Sequence, residues 1–370
     1  VQSNDNIIIN YNDFETNKKI NIYFDFNGLI HQSSHLSEKK IIKEIFIHIK
    51  KNFIKIINLF DNINKIYICI DGIAPMSKIN QQRGRRYKSS LLKYQIDIIK
   101  KSYDYDITNW DSNCISPGTE FMNHLTDYLK DLINNLDYDI TLSDSYDIGE
   151  GEQKIFQYLE NNNKDEIHII HGLDADLIML SLVSKHSNIY LLREDKNDKY
   201  ILLQTNILKQ NILDNISNDN CIIDYIFIFY LFGNDFLPNI NCLLINKQTI
   251  DLILNIYKDC LSCLNYNLIN DNLEINFNFF ILFLNKIKDN EHKLLEKNER
   301  YYQNLEYRER KFNNELESIM DKFNSKPILD KCKNIIQYSK DNWRFRYYQY
   351  YTGYNIYNDK DKIETMCYDY

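Results

Sequence analysis

The sequence predicts an α/β fold: a mainly parallel central sheet flanked by helices, followed by a smaller, mostly helical C-terminal region. Three observations carry this. From residue 20 to about residue 240, short apolar runs alternate with stretches of helical periodicity. Several of those runs end on an acidic residue beside a glycine, as strands do where they reach a sheet edge and turn into a helix. After Pro238 strand-like runs cease and helical spacing takes over.

The elements follow in order. Residues 1–19 are polar and predict nothing definite. Ile20-Asn-Ile-Tyr-Phe24 reads as a strand ending at Asp25, before Phe26-Asn27-Gly28-Leu29-Ile30-His31. From Lys39 to Phe60, Ile41, Ile42, Ile45, Phe46, Ile49, Phe53, Ile56 and Ile57 recur at helical spacing. Lys65 to Asp71 is a second strand, and Gly72 and Pro75 turn the chain into a basic helix from Lys78 to about Lys101. Residues 102–114 read as a loop. Ser116-Pro-Gly-Thr119 turns into a helix that Thr119 can cap. Asp139–Ser143 is a third strand, leading through Gly149-Glu150-Gly151-Glu152 into a helix. Ile167–Ile170 is a fourth, leading through Gly172-Leu-Asp174-Ala-Asp176 into another helix. Residues 188–192 and 200–203 pair around a charged turn. Residues 222–232 form an apolar helix closed by Gly233-Asn-Asp235-Phe-Leu-Pro238. Residues 248–264 and 277–287 are helical, 289–323 form a charged helical stretch, and residues 341–355 are rich in aromatics. The expected division is 1–244 and 245–370.

At 370 residues with 44% hydrophobic content, the chain is long enough for two domains and a full core. No run reaches the ~18 apolar residues that suggest a membrane span. The eight cysteines form no paired framework. Cys69 and Cys221 sit inside apolar runs, and Cys260-Leu-Ser-Cys263 has zinc-like spacing without a second pair. A reducing, cytoplasmic compartment is the expectation. The coding bias toward Asn, Ile and Lys, with the compact length, suggests a large DNA virus or a protist as source.

A net charge of −8 argues against nucleic-acid binding, but its distribution argues the other way. Between Met76 and Lys101 lie Lys78, Arg83, Arg85, Arg86, Lys88, Lys93, Lys100 and Lys101, with Asp97 as the one acid. Asp25, Asp71, Glu150, Glu152, Asp174, Asp176 and Asp235 all fall at the ends of apolar elements. The C-termini of parallel strands share one edge, where ligands bind. Acids gathered there repel, and hard oxygen ligands favour Mg²⁺ or Mn²⁺ over zinc. Two such ions about 4 Å apart suit phosphodiester hydrolysis. The alternative is a set of ordinary loop acids and a solvated basic helix.

These segments resemble the XRN-type 5′→3′ exoribonucleases of the flap-nuclease superfamily, whose fold is 5′-nuclease/PIN-like. The resemblance runs in the family's order through Asp25-Phe-Asn-Gly-Leu-Ile-His31, Asp71-Gly-Ile-Ala-Pro75, Lys78-Ile-Asn-Gln-Gln-Arg-Gly-Arg-Arg86 and Ser116-Pro-Gly-Thr-Glu-Phe-Met122. It continues through Gly149-Glu-Gly-Glu152, Gly172-Leu-Asp-Ala-Asp-Leu-Ile178 and Gly233-Asn-Asp-Phe-Leu-Pro238. It implies that the seven carboxylates hold catalytic Mg²⁺ (Mn²⁺ substituting). It also implies that Lys78, Gln82, Arg85 and Arg86 receive a 5′-monophosphate, with His31 near the first nucleotides of single-stranded RNA. Lys78 is both a catalytic and a substrate-binding candidate. Arg forks suit phosphate, and spacings of three and four put these residues on one helix face. The family's opening Met-Gly-x-Pro-Lys segment has no counterpart, Met76 stands where a basic residue is common, and Trp343-Arg-Phe-Arg-Tyr-Tyr348 resembles only the start of the second conserved region. The expected activity is metal-dependent 5′→3′ hydrolysis of 5′-monophosphorylated RNA to mononucleotides by a monomer. A 5′ flap or DNA nuclease, and a non-catalytic RNA-binding scaffold, are the alternatives.

Overall fold

The computed structural model describes residues 7–37, 41–102, 110–197, 199–216, 221–306, 311–312, 314–315, 317–318, 321 and 335–369. It divides into two compact units, Val1–Ile226 and Phe227–Tyr370.

The first unit is built on a seven-stranded sheet: β1 (Ile8–Asn10), β2 (Ile20–Asp25), β3 (Ile63–Cys69), β4 (Ile140–Ser143), β5 (Ile167–His171), β6 (Ile189–Glu194) and β7 (Tyr200–Gln204). Their order is β1-β7-β6-β5-β2-β3-β4. From β6 to β4 neighbours run parallel, and β7 and β1 close one edge antiparallel. The mainly parallel sheet is thus as expected, with one addition. β1 falls in the stretch from which the sequence predicted nothing. It has three residues, and its pairing with Leu203, Leu202 and Ile201 of β7 lies far away in the chain.

Central β2 is buried at all six positions and shows how alternation sorts the two faces. Ile20, Ile22 and Phe24 enter the main core with α1 (Phe26–Leu36), α2 (Ile42–Ile57) and α4 (Glu120–Asn134). Tyr23 turns the other way, toward Tyr67 and the Tyr158 ring of α5 (Gly151–Leu159). Asp25 is the next residue of this second set, so the strand brings its carboxylate out beside the start of α5. α6 (Asp176–Val183) and α7 (Thr205–Ile216) pack on β6. α1 and α7 carry no strong periodicity in a chain full of isoleucine, so the sequence marks neither as a helix. Thr119 does cap α4, accepting from the Met122 N–H at 3.4 Å.

α3 (Met76–Ser102) is the basic helix, 27 residues with only Lys78 buried. α8 (Ile222–Tyr230) lies where the two units are divided. In the second unit α9 (Lys247–Leu264) packs on α10 (Phe277–Glu306). α10 is one continuous helix where two were expected: its charged middle contains no Gly or Pro, so nothing interrupts it. The remainder of the expected 289–323 stretch lies largely outside the described residues. α11 (Trp343–Thr352) and α12 (Lys360–Asp369) complete the unit. Arg346 secures the turn before α11 by donating to the carbonyls of Ile336, Gln337, Lys340 and Asp341.

Candidate metal centre

Three strand-to-helix turns of the first unit deliver acids to one place. β2 ends on Asp25, the β3–α3 turn carries Asp71, and the first turn of α5 carries Glu152. Carboxylate oxygens from Asp25, Asp71 and Glu152 all lie within 4.8 Å of one another. Asp71 is held from both sides. Asn27 Nδ2 donates to Asp71 Oδ2 at 2.8 Å, and the Asp71 N–H donates back to Asn27 Oδ1 at 3.1 Å. The Gly151 N–H donates to Asp71 Oδ1 at 2.8 Å.

Two glycines make this approach possible. A Cβ on Gly151 would stand 2.6 Å from Asp25 Oδ1. A Cβ on Gly72 would stand 1.7 Å from the Asp147 carbonyl oxygen, where the Gly72 N–H donates to Gly149 O at 2.9 Å. The Asp71 and Glu150 turns are therefore zipped together through backbone that only glycine allows.

The electrostatics follow from this crowding. Burial, then Asp71, Glu152, Asp174 and Glu150, push Asp25 well above the usual carboxylate range. Burial also raises Asp71, opposed by the Gly151 N–H, Lys78 and Lys154. Glu152 is pushed up to about 7, first by burial and then by Glu150 and Asp71, with its own N–H and Lys78 opposing. Carboxylates so arranged need protons or cations to be stable. The donor set is all oxygen, with hydrogen-bonded positioning of Asp71, and it fits a hard divalent cation.

The other expected site residues are placed as follows. Glu150 occupies the N-cap position of α5 without a side-chain capping bond, and its carboxylate is bound by Lys78 Nζ, at 2.7 Å from Oε1 and 2.8 Å from Oε2. Lys78 thus sits on the carboxylates, with Glu152 Oε1 at 4.0 Å. Asp174 lies in the exposed turn after β5 and acts on both Asp25 and Asp71. Asp176 is the exposed first residue of α6. On α3, Arg86 Nη2 donates to Gln82 Oε1 at 3.4 Å. Burial, then the Arg85 guanidinium and the His35 ring, lower His31, which puts His31 of α1 in the field of α3. Asp235 belongs to the second unit, in a turn where Asn234 Oδ1 accepts from the N–H groups of Phe236 and Leu237, each at 2.8 Å. Among the described residues the metal-competent grouping is all carboxylate, with Cys260 buried and Cys263 exposed outside it.

Three residues around the cluster were not singled out from the sequence: Asn27, Lys154 and Arg193. Asn27 stood inside the Asp25–His31 motif, and its polar side chain two residues after the strand-end Asp was the available signal.

A family model described as the XRN 5'-3' exonuclease N-terminus matches residues 2–195, and one described as the Xrn1 helical domain matches residues 215–344. The chain belongs to the XRN 5'-3' exonuclease family. Among curated relatives, human 5'-3' exoribonuclease 1 is 32% identical over 322 residues, covering 73% of this chain and 18% of that protein. The 5'-3' exoribonuclease 2 homolog of Caenorhabditis briggsae is 28% identical over 321 residues, covering 65% of this chain and 33% of that protein. The chain therefore spans a third or less of these relatives. The catalytic core of Rad2 in complex with DNA substrate matches at 13% identity and a TM-score of 0.41, over 85% of this chain and 81% of that one.

Proposed function

We propose that this chain is a 5′→3′ exoribonuclease that hydrolyses single-stranded RNA from a 5′-monophosphate end and releases nucleoside monophosphates. The observation that carries the reading is the meeting of Asp25, Asp71 and Glu152 oxygens within 4.8 Å, beside a helix dense in cations. Asp25, Asp71, Glu150, Glu152, Asp174, Asp176 and Asp235 are the proposed ligands, with Mg²⁺ as the metal and Mn²⁺ as its substitute. The proposed catalytic domain extends to residue 244 and so includes Asp235. A divalent cation bound there supplies an activated water and neutralises charge on the leaving oxygen.

The chain's own residues supply the rest. Asn27 and the Gly151 N–H fix the orientation of Asp71 before any substrate arrives. Lys78 holds Glu150 in place and carries positive charge to the junction of cluster and helix. Gln82, Arg85 and Arg86 of α3, with His31 from α1, form the proposed phosphate pocket. Arg forks bind a terminal phosphate dianion more strongly than the single charge of an internal linkage. The enzyme is proposed to act as a cytoplasmic monomer. No helix among the described residues is long and apolar enough to cross a membrane.

The test uses a 3′-labelled, 5′-monophosphorylated RNA with Mg²⁺. Mononucleotide release from the 5′ end, abolished by chelation and by Asp174→Ala with Asp176→Ala, supports the reading. Internal cuts, cleavage of DNA flaps instead of RNA, or full activity in the double variant overturns it.

A further inference from the structure

Two cations beside the cluster avoid its carboxylates. Lys154, in α5, is 4% exposed, and its Nζ donates to the main-chain carbonyls of Ile70 and Asp144, each at 2.8 Å. Ile70 immediately precedes Asp71, and Asp144 follows the last residue of β4. Arg193, on β6, donates from Nη2 to the main-chain carbonyl of Asp174 at 2.8 Å. Its Nε is shut off from solvent and meets no hydrogen-bond partner among the described residues. Lys78 behaves differently, because its ammonium lies directly on the Glu150 carboxylate.

The distinction has a chemical consequence. A cation bonded to a ligand carboxylate competes with a metal for the same lone pairs. A cation bonded to the neighbouring main-chain oxygen leaves those lone pairs open and still lowers the local potential. Lys154 is among the charges that favour the ionised form of Asp71. Both groups also fix the turns themselves: Lys154 ties the end of β3 to the end of β4 from within α5, and Arg193 ties the turn after β5 to β6.

We propose that Lys154 and Arg193 are positioning residues of the metal centre, holding the Asp71 and Asp174 turns through main-chain oxygens and supplying positive charge without occupying a ligand oxygen. This inference rests on the metal-dependent reading above, and its test separates the two.

The test is calorimetric titration of the full chain with Mn²⁺, for wild type, Lys154→Met, Arg193→Met and Arg193→Lys. It is paired with RNA hydrolysis measured across a range of Mg²⁺ concentrations. Each Met variant is expected to bind Mn²⁺ about tenfold more weakly. Its kcat should recover as Mg²⁺ is raised, its KM for RNA should stay within about twofold of wild type, and Arg193→Lys should regain part of the affinity. Folded Met variants with wild-type Mn²⁺ affinity, or an activity loss that no Mg²⁺ concentration restores, overturn the inference alone. A wild-type chain that binds no Mn²⁺ overturns the metal reading together with it. Should Lys154→Met not fold, Arg193→Met decides, since that side chain is only half-buried.

Discussion

At the scale of single residues, Asp71 shows how much of a carboxylate's role lies in what holds it. Asn27 and the Gly151 N–H occupy both of its oxygens, so its orientation is set before a cation arrives. Asn27→Ala should cost about 1.5–3 kcal/mol, the range for hydrogen bonds to charged groups, read as a lower denaturant midpoint. Because Gly151 stands against Asp25, Gly151→Ala should keep the fold yet weaken Mn²⁺ binding, since its methyl and the Asp25 carboxylate cannot share the space. Wild-type affinity in that variant would show that Asp25 moves aside freely. The three acids that the structure brings together, Asp25, Asp71 and Glu152, were legible in the sequence because they fall at the ends of apolar elements. Lys154 and Arg193 were not, because their partners are main-chain carbonyls, which no side-chain pattern marks.

At the scale of elements, β5 carries a buried polar chain. Asn162 donates to the Tyr23 hydroxyl at 3.1 Å, and that hydroxyl lies 3.0 Å from His168 Nδ1. His168 Nε2 lies 3.1 Å from the Asn163 carbonyl, which can only accept, so Nε2 carries the proton and Nδ1 accepts from Tyr23. Burial, then the His186 ring, lowers His168 to about 4. The unfolded chain therefore binds more protons between pH 6.5 and about 4. The stability from neutral His168 is complete above pH 6.5 and is lost as pH falls toward 4. Glu152, raised to about 7, and Asp25 act in the opposite sense over this window, so the readout is a difference: from pH 7 to pH 5 the denaturant midpoint of wild type should fall relative to that of His168→Gln. An equal change in both would place the pH sensitivity elsewhere. The strands of this sheet were mostly readable, because isoleucine-rich runs between turn residues leave little choice. β1 was not, since three residues gain their burial from β7 nearly two hundred positions away. α10 was misread as two helices because its charge looked like punctuation, whereas only Gly or Pro would have broken it.

For the molecule as a whole, an acidic protein presents a basic helix beside a buried acidic cluster, and in the proposed function the two signs serve different partners. The carboxylates repel one another without a cation, so divalent metal should stabilise the fold. Thermal scans should show a higher Tm in Mg²⁺ than in EDTA. The linkage is about 2.7 kcal/mol when free metal stands a hundredfold above its Kd. An unchanged Tm would mean that the cluster does not bind metal in this range. The cations of α3 have the complementary task. Arg85→Ala or Arg86→Ala should abolish preference for a 5′-monophosphate while leaving slow metal-dependent hydrolysis. Equal losses on 5′-monophosphate and 5′-hydroxyl RNA would remove both residues from the pocket.

The most direct measurement is a competition in Mg²⁺ among one RNA sequence carrying a 5′-monophosphate, a 5′-triphosphate or a 5′-hydroxyl. Selective disappearance of the monophosphate form from its 5′ end, stopped by EDTA, is the predicted result. Equal degradation of all three, or degradation that survives chelation, would contradict it.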